Sequence, residues 1–386
     1  MNEKLYFDYA ATTPLDPDVF SAMEPYLKGD FGNPSSIHYF GQRAEHAVEK
    51  SREIVADYLN CHPTEVIFTS CGSESNNLAL RGTAMARKSQ SGHNRITSSK
   101  VEHHAITHTI QQLSDHFGFK SDWAAVDEFG IVDLTSFSTM LNENTALASF
   151  MLANNEIGSI NPIKALAEMC LNKGVPFHTD AVQAAGYIPI DLAELPVSLL
   201  SLGSHKFYGP KGVGVLFIRQ GTKVLPTQTG GGQEFGLRSG THNVAYIVGF
   251  AAAIEKLKKF REKRATELSI LRDELIDRVL KTIPDSKLTG HPTNRLPNHA
   301  SFIFKNVDGN LLLGMLDQAG FACSSGSACK TGNPEPSEVL IEIGQPRDWA
   351  LGSLRLTLGS KTNEEAINKL LEKLPALIKL NRELKG

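Results

Sequence analysis

Two apolar segments, each with the composition of a buried strand, end close to a residue that can do chemistry. Residues 177–179 (Phe-His-Thr) lead into Asp180, and residues 197–202 lead into Lys206. Ligands of open α/β sheets bind beyond the carboxyl ends of the strands. A lysine there loses hydration, which lowers the pKa of its amine and makes it a competent Schiff-base nucleophile. For Asp180 the alternative is a plain N-cap of the segment that follows.

Residues 70–75, Ser-Cys-Gly-Ser-Glu-Ser, join a predicted strand to a predicted helix and have the composition of an anion site. The free backbone N–H groups of a helix start, a small hydroxyl and the positive end of the helix dipole together suit a phosphate. Two interpretations of Ser73 stay open at this point. It is either a phosphate ligand in this cradle or an ordinary N-cap of the helix.

A single arginine, Arg355, lies in the otherwise apolar strand predicted over residues 352–359. A buried guanidinium needs an anionic partner, and a substrate carboxylate bound in bidentate geometry is a natural one. An internal Asp or Glu would serve equally well.

Two histidines, His104 and His108, have the i,i+4 spacing of residues on one helix face. A metal site is not predicted, because no third ligand and no His-Glu-x-x-His pattern accompany the pair. An imidazole near the start of this helix is suited instead to stacking on a flat cofactor ring.

Cys329 lies in the most turn-rich stretch of the chain, residues 324–336. A thiol among small residues lacks the apolar neighbours that make most cysteines inert, and a loop can carry it to a second site. The chain has five cysteines, an odd number at scattered positions, which argues against a disulfide framework and for a reducing compartment.

Taken together, these residues predict pyridoxal phosphate chemistry on an amino acid. The lysine would bind the cofactor aldehyde, and the aspartate would keep the ring nitrogen protonated as an electron sink. The helix start would hold the phosphate, and the arginine would hold the carboxylate of the amino acid.

The elements that must position these residues alternate from about residue 65 onward, with short apolar strands followed by longer helical segments. This pattern predicts an α/β fold with a mostly parallel central sheet and helices on both faces. After residue 241 one or two long helices lead into a smaller α+β unit. We expect a large cofactor-binding domain over residues 15–255 and a small domain formed by residues 1–14 and 256–386, which carries the cysteine loop.

The composition excludes several classes of protein. The chain has 386 residues with 39 basic and 42 acidic side chains, a formal net charge of −3. This balance gives no concentrated basic face for nucleic acid or an anionic membrane. Apolar runs stay below the ~18 residues of a membrane span, and a secretory signal is not predicted. We therefore expect a cytoplasmic protein with neither a nucleic-acid nor a membrane partner.

Several motifs in combination resemble the cysteine desulfurases of the nitrogen-fixation and iron–sulfur-cluster type, in the class V aminotransferase superfamily. The resemblance runs nearly end to end and implies the type I fold of pyridoxal-phosphate-dependent transferases. The motifs that carry it are Asp8-Tyr9-Ala10-Ala11-Thr12-Thr13-Pro14, Gly32-Asn33-Pro34-Ser35-Ser36, Asn154-Asn155-Glu156-Ile157-Gly158, Asp180-Ala181-Val182-Gln183, His205-Lys206-Phe207-Tyr208-Gly209-Pro210-Lys211-Gly212, Arg238-Ser239-Gly240-Thr241 and Ser324-Ser325-Gly326-Ser327-Ala328-Cys329.

The resemblance implies a role for each matching position. His103 would stack on the cofactor ring, and Thr241 would reach in from the partner subunit of a homodimer. The implied cofactor-binding residues are Gly72, Ser73, His103, Asn155, Asp180, Gln183, Ser204, His205, Lys206 and Thr241. Arg355, assisted by Asn33, would hold the substrate carboxylate, and no metal is implied.

The implied reaction converts L-cysteine to L-alanine. Lys206 and His103 would act in catalysis, and Cys329 would be the nucleophile that takes the sulfur as a persulfide. A sulfur-acceptor or scaffold protein, as in iron–sulfur cluster assembly, would then receive it.

Three positions depart from the family pattern. The usual Ser-Gly-His-Lys reads Gly-Ser-His-Lys over residues 203–206, so the expected hydroxyl moves by one residue to Ser204. Cys71 adds a thiol beside the phosphate cradle, and Phe235 stands where arginine is common. The alternative enzymes are a selenocysteine lyase or another class V β-lyase, and the alternative of a different class is a scaffold protein without turnover. The Cys329 loop favours the desulfurase.

Overall fold

The computed structural model describes residues 4–326 and 335–385. The helices in these ranges are α1 (Pro17–Lys28), α2 (Tyr39–Leu59), α3 (Gly72–Asn77), α4 (Thr83–Ser91), α5 (His104–Phe117), α6 (Leu134–Met140), α7 (Ile163–Asn172), α8 (Val244–Thr282), α9 (Gly309–Gln318), α10 (Glu338–Glu342), α11 (Arg347–Ala350) and α12 (Glu364–Lys385). The strands are β1 (Leu5–Tyr6), β2 (Val66–Thr69), β3 (Arg95–Ser98), β4 (Lys120–Trp123), β5 (Thr145–Ser149), β6 (Phe177–Asp180), β7 (Leu199–Gly203), β8 (Gly214–Ile218), β9 (Ser286–Leu288), β10 (His299–Phe304), β11 (Phe321–Ala322) and β12 (Ser353–Thr357).

The largest sheet in the described residues has the strand order β2-β8-β7-β6-β5-β3-β4. The strands from β7 to β4 run parallel, whereas β8 is antiparallel to both of its neighbours, β7 and β2. Because the direction reverses twice across β8, β2 runs in the same direction as β7.

Both faces of this sheet are covered by helices. Side chains alternate along β2, where Val66 and Phe68 belong to one hydrophobic cluster and Ile67 belongs to another. Helices α2, α7 and α8 contribute to the first cluster, and α4 and α5 contribute to the second. A sheet of this kind, buried on both faces, confirms the predicted α/β fold.

This topology brings the predicted functional residues together. β2 ends at Thr69, just before α3, and β6 ends at Asp180. β7 ends at Gly203, and the 3₁₀ turn Ser204–Lys206 follows it. Since these three strands run in the same direction, their carboxyl ends meet at one edge of the sheet.

A smaller antiparallel sheet has the order β12-β10-β9, and β1 pairs in parallel with β11. Helix α8, with 39 residues, packs against α1, α2, β9 and β10. It runs without a break through residues 255 and 256, where the predicted domain boundary lies, and the division into two domains stays a prediction. Among the described helices, none has the length and apolarity needed to cross a membrane.

Candidate active site

A cavity of about 390 Å³ opens at the carboxyl edge of the large sheet. Its volume lies in the usual range for small-molecule sites. The predicted site residues that line it are Gly72, Ser73, His103, Asn155, Asp180, Gln183, His205, Lys206 and Arg355.

The amine of Lys206 is held by the N-terminal segment. Nζ donates hydrogen bonds to the backbone carbonyl oxygens of Ala10 and Ala11, at 2.7 and 2.8 Å. Burial lowers the pKa of Lys206 to about 8, with Arg355 acting in the same direction and Asp180 opposing it. Far more of this amine is therefore neutral near neutral pH than in an exposed lysine, as a Schiff-base nucleophile requires.

Asp180, the last residue of β6, is buried with 7% of its surface exposed. Oδ1 accepts a hydrogen bond from the backbone N–H of Val182 at 2.9 Å, and Oδ2 accepts one from Nδ2 of Asn76 at 2.6 Å. The bond from Val182 closes a local turn, since residues 182–187 form turns and not a helix. Asp180 is therefore not a helix N-cap, and its carboxylate lines the cavity.

The start of α3 borders the cavity. Its N-cap is Cys71, whose Sγ accepts from the backbone N–H of Glu74 at 3.4 Å, so Ser73 is not the cap and instead lines the cavity. A Cβ on Gly72 would lie 2.7 Å from Cγ2 of Val182, so only glycine fits at this point of the wall. The N-terminal N–H groups of α3 therefore lie beside the cavity, where the anion cradle was predicted.

His103 is the N-cap of α5, and its Nδ1 accepts from the backbone N–H of Ala105 at 3.0 Å. Burial lowers the pKa of His103, although the charge of Asp180 opposes this effect. The rings of His104 and His108 stack on each other with centroids 4.6 Å apart and do not line the cavity. In the described part of the chain, no group of three or more His, Cys, Asp and Glu side chains is arranged to hold a metal ion.

Arg355 is nearly buried in β12. Nη1 donates to the backbone oxygen of Asn155 at 2.9 Å, and Nη2 donates to Oδ1 of Asp8 at 3.0 Å. Asp8 is therefore the internal acidic partner that the sequence left open. Arg355 also lines the cavity, and a guanidinium has five N–H donors, so a ligand carboxylate can bind to it as well.

Gln183 and His205 contact the same N-terminal segment as Lys206. Nε2 of Gln183 donates to the backbone oxygen of Ala10 at 2.9 Å, and Nδ1 of His205 lies 3.1 Å from Oγ1 of Thr12. Burial lowers the pKa of His205 to about 4, so its ring is neutral near neutral pH. These contacts make the N-terminal segment part of the cavity wall.

Three predicted residues lie outside the described cavity lining. Oδ1 of Asn33 accepts from the backbone N–H two residues further on, at 3.0 Å, in an exposed turn. Ser204 is fully buried against Gly209, where a Cβ would lie 1.8 Å from its Oγ. Thr241 is exposed. A fourth residue, Cys329, lies outside the described residues, and the roles of all four stay predictions.

Two side chains of this region were missed in the sequence. Asn76 lines the cavity and lies four residues after Gly72, a spacing that puts both on one helix face and that the sequence displays. Glu102, which precedes His103 in the sequence, is buried and accepts from Oγ of Ser99 and from the backbone N–H of Met151, each at 2.9 Å. Burial raises the pKa of Glu102 to about 8, so it is mostly protonated near neutral pH.

Comparison with known proteins identifies the family. The chain matches the Aminotransferase class-V family over residues 5–370. It is 45% identical over 386 residues to the cysteine desulfurase IscS of Clostridium botulinum, which covers 100% of this chain and 96% of that protein. It is 40% identical over 375 residues to the cysteine desulfurase NifS of Azotobacter vinelandii, covering 97% of this chain and 92% of that one. The chain therefore belongs to the class-V aminotransferase family, in the group of the IscS and NifS proteins.

Solved structures agree with this assignment. A NifS-like protein matches with a TM-score of 0.91 at 35% identity, covering 98% of this chain and 100% of that one. A structure of SspA in complex with cysteine matches with a TM-score of 0.81 at 32% identity, covering 92% of this chain and 98% of that one. The fold is therefore that of the pyridoxal-phosphate-dependent NifS-like proteins.

Proteins of this family depend on pyridoxal 5′-phosphate, and the residues of the cavity fit that cofactor. The Lys206 amine suits the aldehyde, and the Asp180 carboxylate suits the ring nitrogen. Gly72 and Ser73 at the start of α3 line the cavity, and the backbone N–H groups of a helix start suit the phosphate.

Proposed function

We propose that this chain is a cysteine desulfurase that converts L-cysteine to L-alanine and takes the sulfur on Cys329 as a persulfide. The observation that carries the proposal is that one cavity holds the Lys206 amine, the Asp180 carboxylate and the Arg355 guanidinium. Pyridoxal phosphate and an α-amino acid together need these three groups. The relatives named cysteine desulfurase support L-cysteine as the amino acid.

In this proposal the cavity residues hold the cofactor at each of its polar atoms. Lys206 binds the aldehyde, Asp180 pairs with the ring nitrogen, and His103 lies against the ring. The remaining contacts come from Gly72, Ser73, Asn155, Gln183, His205 and the partner subunit's Thr241, whereas the fully buried Ser204 supports the turn that carries Lys206. When bound, pyridoxal phosphate supplies an electron sink for the negative charge that develops at the substrate Cα.

The chain's own residues orient the substrate and move its protons. Arg355, itself held by Asp8, binds the substrate carboxylate with help from Asn33. The Lys206 amine takes the proton from Cα, a task for which a pKa of about 8 is well matched near neutral pH.

The sulfur transfer is a nucleophilic displacement. The Cys329 thiolate attacks the substrate sulfur, and an S–S bond forms as the Cβ–S bond breaks. The electron pair of the broken bond stays on Cβ, and its protonation gives alanine. The outer persulfide sulfur then passes to a thiol of an acceptor or scaffold protein, as iron–sulfur cluster assembly requires.

We also propose that the enzyme is a cytoplasmic homodimer. Large apolar side chains are strongly exposed in the described structure, including Phe31 (74%), Ile37 (92%) and Phe235 (57%). Exposed apolar surface of this kind is typical of an association site. A second copy would cover it and bring the exposed Thr241 to the cofactor phosphate of its partner.

The proposal is tested by incubating the enzyme with L-cysteine and measuring alanine and enzyme-bound persulfide. We expect one persulfide for each alanine in the first turnover. The Cys329→Ser variant should keep the visible absorbance of the bound cofactor and form no persulfide. The control Cys61→Ser, a residue outside the cavity lining, should behave like the wild type. Sulfide formation at the wild-type rate in Cys329→Ser would contradict the persulfide route, and a strong preference for selenocysteine would favour the lyase.

A further inference from the structure

Asn76 is a buried cavity residue, 1% exposed, to which the reaction described above gives no role. It lies on α3, and its Nδ2 donates to Oδ2 of Asp180 at 2.6 Å. An ionised carboxylate can only accept hydrogen bonds, so the nitrogen of the amide must be the atom that faces Asp180.

Two donors on different elements fix the plane of the Asp180 carboxylate. Val182 supplies a backbone N–H to Oδ1 at 2.9 Å, and Asn76 supplies a side-chain N–H to Oδ2. A carboxylate offers about four acceptor sites, so sites remain for a further donor from the cavity. A neutral amide suits this position, because a lysine or arginine would neutralise the charge that a ring N–H must meet.

The other half of the Asn76 amide points to the same conclusion. Its Oδ1 is buried and has no hydrogen-bond partner in the described part of the chain. The side chain therefore does not bridge two structural elements through both of its polar atoms. Within the described residues, its amide engages Asp180 alone.

We propose that Asn76 is a positioning residue, which holds the Asp180 carboxylate in the orientation that meets the ring nitrogen of pyridoxal phosphate. The proposal rests on the proposed function, because it takes the ring nitrogen as the partner of Asp180. It adds that cofactor retention depends on Asn76, and that this dependence passes through Asp180.

A double-mutant cycle on the holoenzyme tests this. The measured quantity is the rate at which the holoenzyme loses pyridoxal phosphate after dilution, followed by its visible absorbance. We expect Asn76→Ala to speed the loss about tenfold, the effect of one hydrogen bond to a charged group. Asp180→Ala should speed it further, and the double variant should match Asp180→Ala, because Asn76 acts through that residue.

The outcomes separate this inference from the proposed function. If Asp180→Ala speeds the loss and Asn76→Ala does not, or if the two effects multiply in the double variant, the role of Asn76 is overturned and that of Asp180 stands. If Asp180→Ala leaves the loss unchanged, the proposed role of Asp180 fails as well. The control is Thr83→Val. Thr83 is also fully buried and its hydroxyl has no partner in the described residues, so removing that hydroxyl should leave the rate unchanged.

Asn76→Asp gives a second readout with a side chain of the same shape. Above the pH at which the two carboxylates share a proton, the donor is replaced by a like charge, and below it the shared proton restores a donor. The ratio of the variant rate to the wild-type rate should therefore fall toward one as pH falls. His103 and Glu102 also face this pair, and Lys206 faces it through the nitrogen that holds the cofactor, so the pH profile of the wild-type holoenzyme is the baseline for the comparison. A ratio that stays constant with pH would overturn the proposal.

Discussion

Two buried groups of charged side chains in this chain are built in opposite ways. The first, which we call the Arg52 cluster, consists of Arg52, Glu234 and His242. Nη1 and Nη2 of Arg52 each donate to a different oxygen of Glu234 at 2.8 Å, and Nε2 of His242 lies 2.7 Å from Oε1 of the same carboxylate. Every charge in this cluster meets an opposite charge or a strong hydrogen-bond partner.

The second group, the cavity cluster, consists of Lys206, Asp180 and Arg355. Here the amine of Lys206 meets two backbone carbonyl oxygens, at 2.7 and 2.8 Å. Arg355 finds its acid in Asp8, outside the cluster. The three charged side chains of this cluster therefore line an open cavity, and they can still form hydrogen bonds to a ligand.

The pKa values record this contrast. Burial alone would raise the pKa of Glu234, but hydrogen bonds from Arg52 and His242 bring it down to about 2. Burial lowers the pKa of Lys206 to about 8, toward the neutral amine. Full pairing keeps a buried group charged and inert, whereas partial pairing leaves it close to a change of protonation state, as a reactive group requires.

The largest effect is expected in the cavity cluster, from Lys206→Ala. This variant loses both the cofactor aldehyde's partner and the base, so alanine formation from L-cysteine should fall by at least about a thousandfold. The visible absorbance of the bound cofactor should shift or disappear. Thermal unfolding of the cofactor-free variant should stay close to that of the cofactor-free wild type, because a poorly solvated amine is removed rather than a paired charge. Residual alanine formation within tenfold of wild type would remove Lys206 from the mechanism.

The Arg52 cluster should respond in stability instead. Glu234→Gln leaves the buried Arg52 guanidinium without its buried anion, which should lower the free energy of unfolding by about 3–5 kcal/mol, measured by urea unfolding at neutral pH. The matched control is Glu49→Gln, which alters a carboxylate 3.2 Å from Nε of Arg52 that is 52% exposed. That change should cost less than about 1 kcal/mol. If both variants lost the same free energy of unfolding, the buried pair of Arg52 with Glu234 would be no stronger than its exposed pair with Glu49.

The positions of Asp180 and Lys206 in the cavity cluster were largely predictable, because one residue ends a strand and the other follows one. The apolar runs that end at Asp180 and lead to Lys206 both form strands of the large sheet, β6 and β7. The sequence pattern also predicts a helix over residues 163–172, and α7 forms with those bounds. A parallel sheet then brings the strand ends together by topology alone.

The features that could not be predicted are a partly exposed edge strand and two ion pairs between residues far apart in the sequence. The sequence pattern favours a strand near residues 123–126, whereas β4 lies at Lys120–Trp123. The difference arises because β4 is a polar edge strand without an apolar run. The pairing of Arg355 with Asp8 joins two ends of the chain and has no local signal. The Arg52 cluster is of the same kind, since its bidentate pair spans 182 sequence positions.

The pH dependence of stability gives a third test, of intermediate size. In the cofactor-free protein the folded state holds Lys206 with a pKa of about 8, below the ordinary value of 10.5. Between these values the unfolded chain binds more protons, so the free energy of unfolding should rise with pH, by at most about 1.4 kcal/mol per unit. Lys206→Met should lack this contribution. The free energy of unfolding of the wild type minus that of the variant, measured by urea unfolding, should rise between about pH 7 and 10. A difference that stays constant with pH would mean that burial does not hold the amine neutral.

The smallest effect is expected at Asp8, the residue outside the cavity cluster that pairs with Arg355. Asp8→Asn keeps a hydrogen-bond acceptor for Arg355 but removes the charge that holds the guanidinium in place. Arg355 should then bind the substrate carboxylate in a less fixed orientation, and the KM for L-cysteine should rise about fivefold while kcat changes less. The control is Asp317→Asn, which removes an exposed ion pair with Lys4 and should leave KM unchanged. A fall in kcat with constant KM would instead place Asp8 in the chemical step, where its charge acts on Lys206 and not on substrate binding.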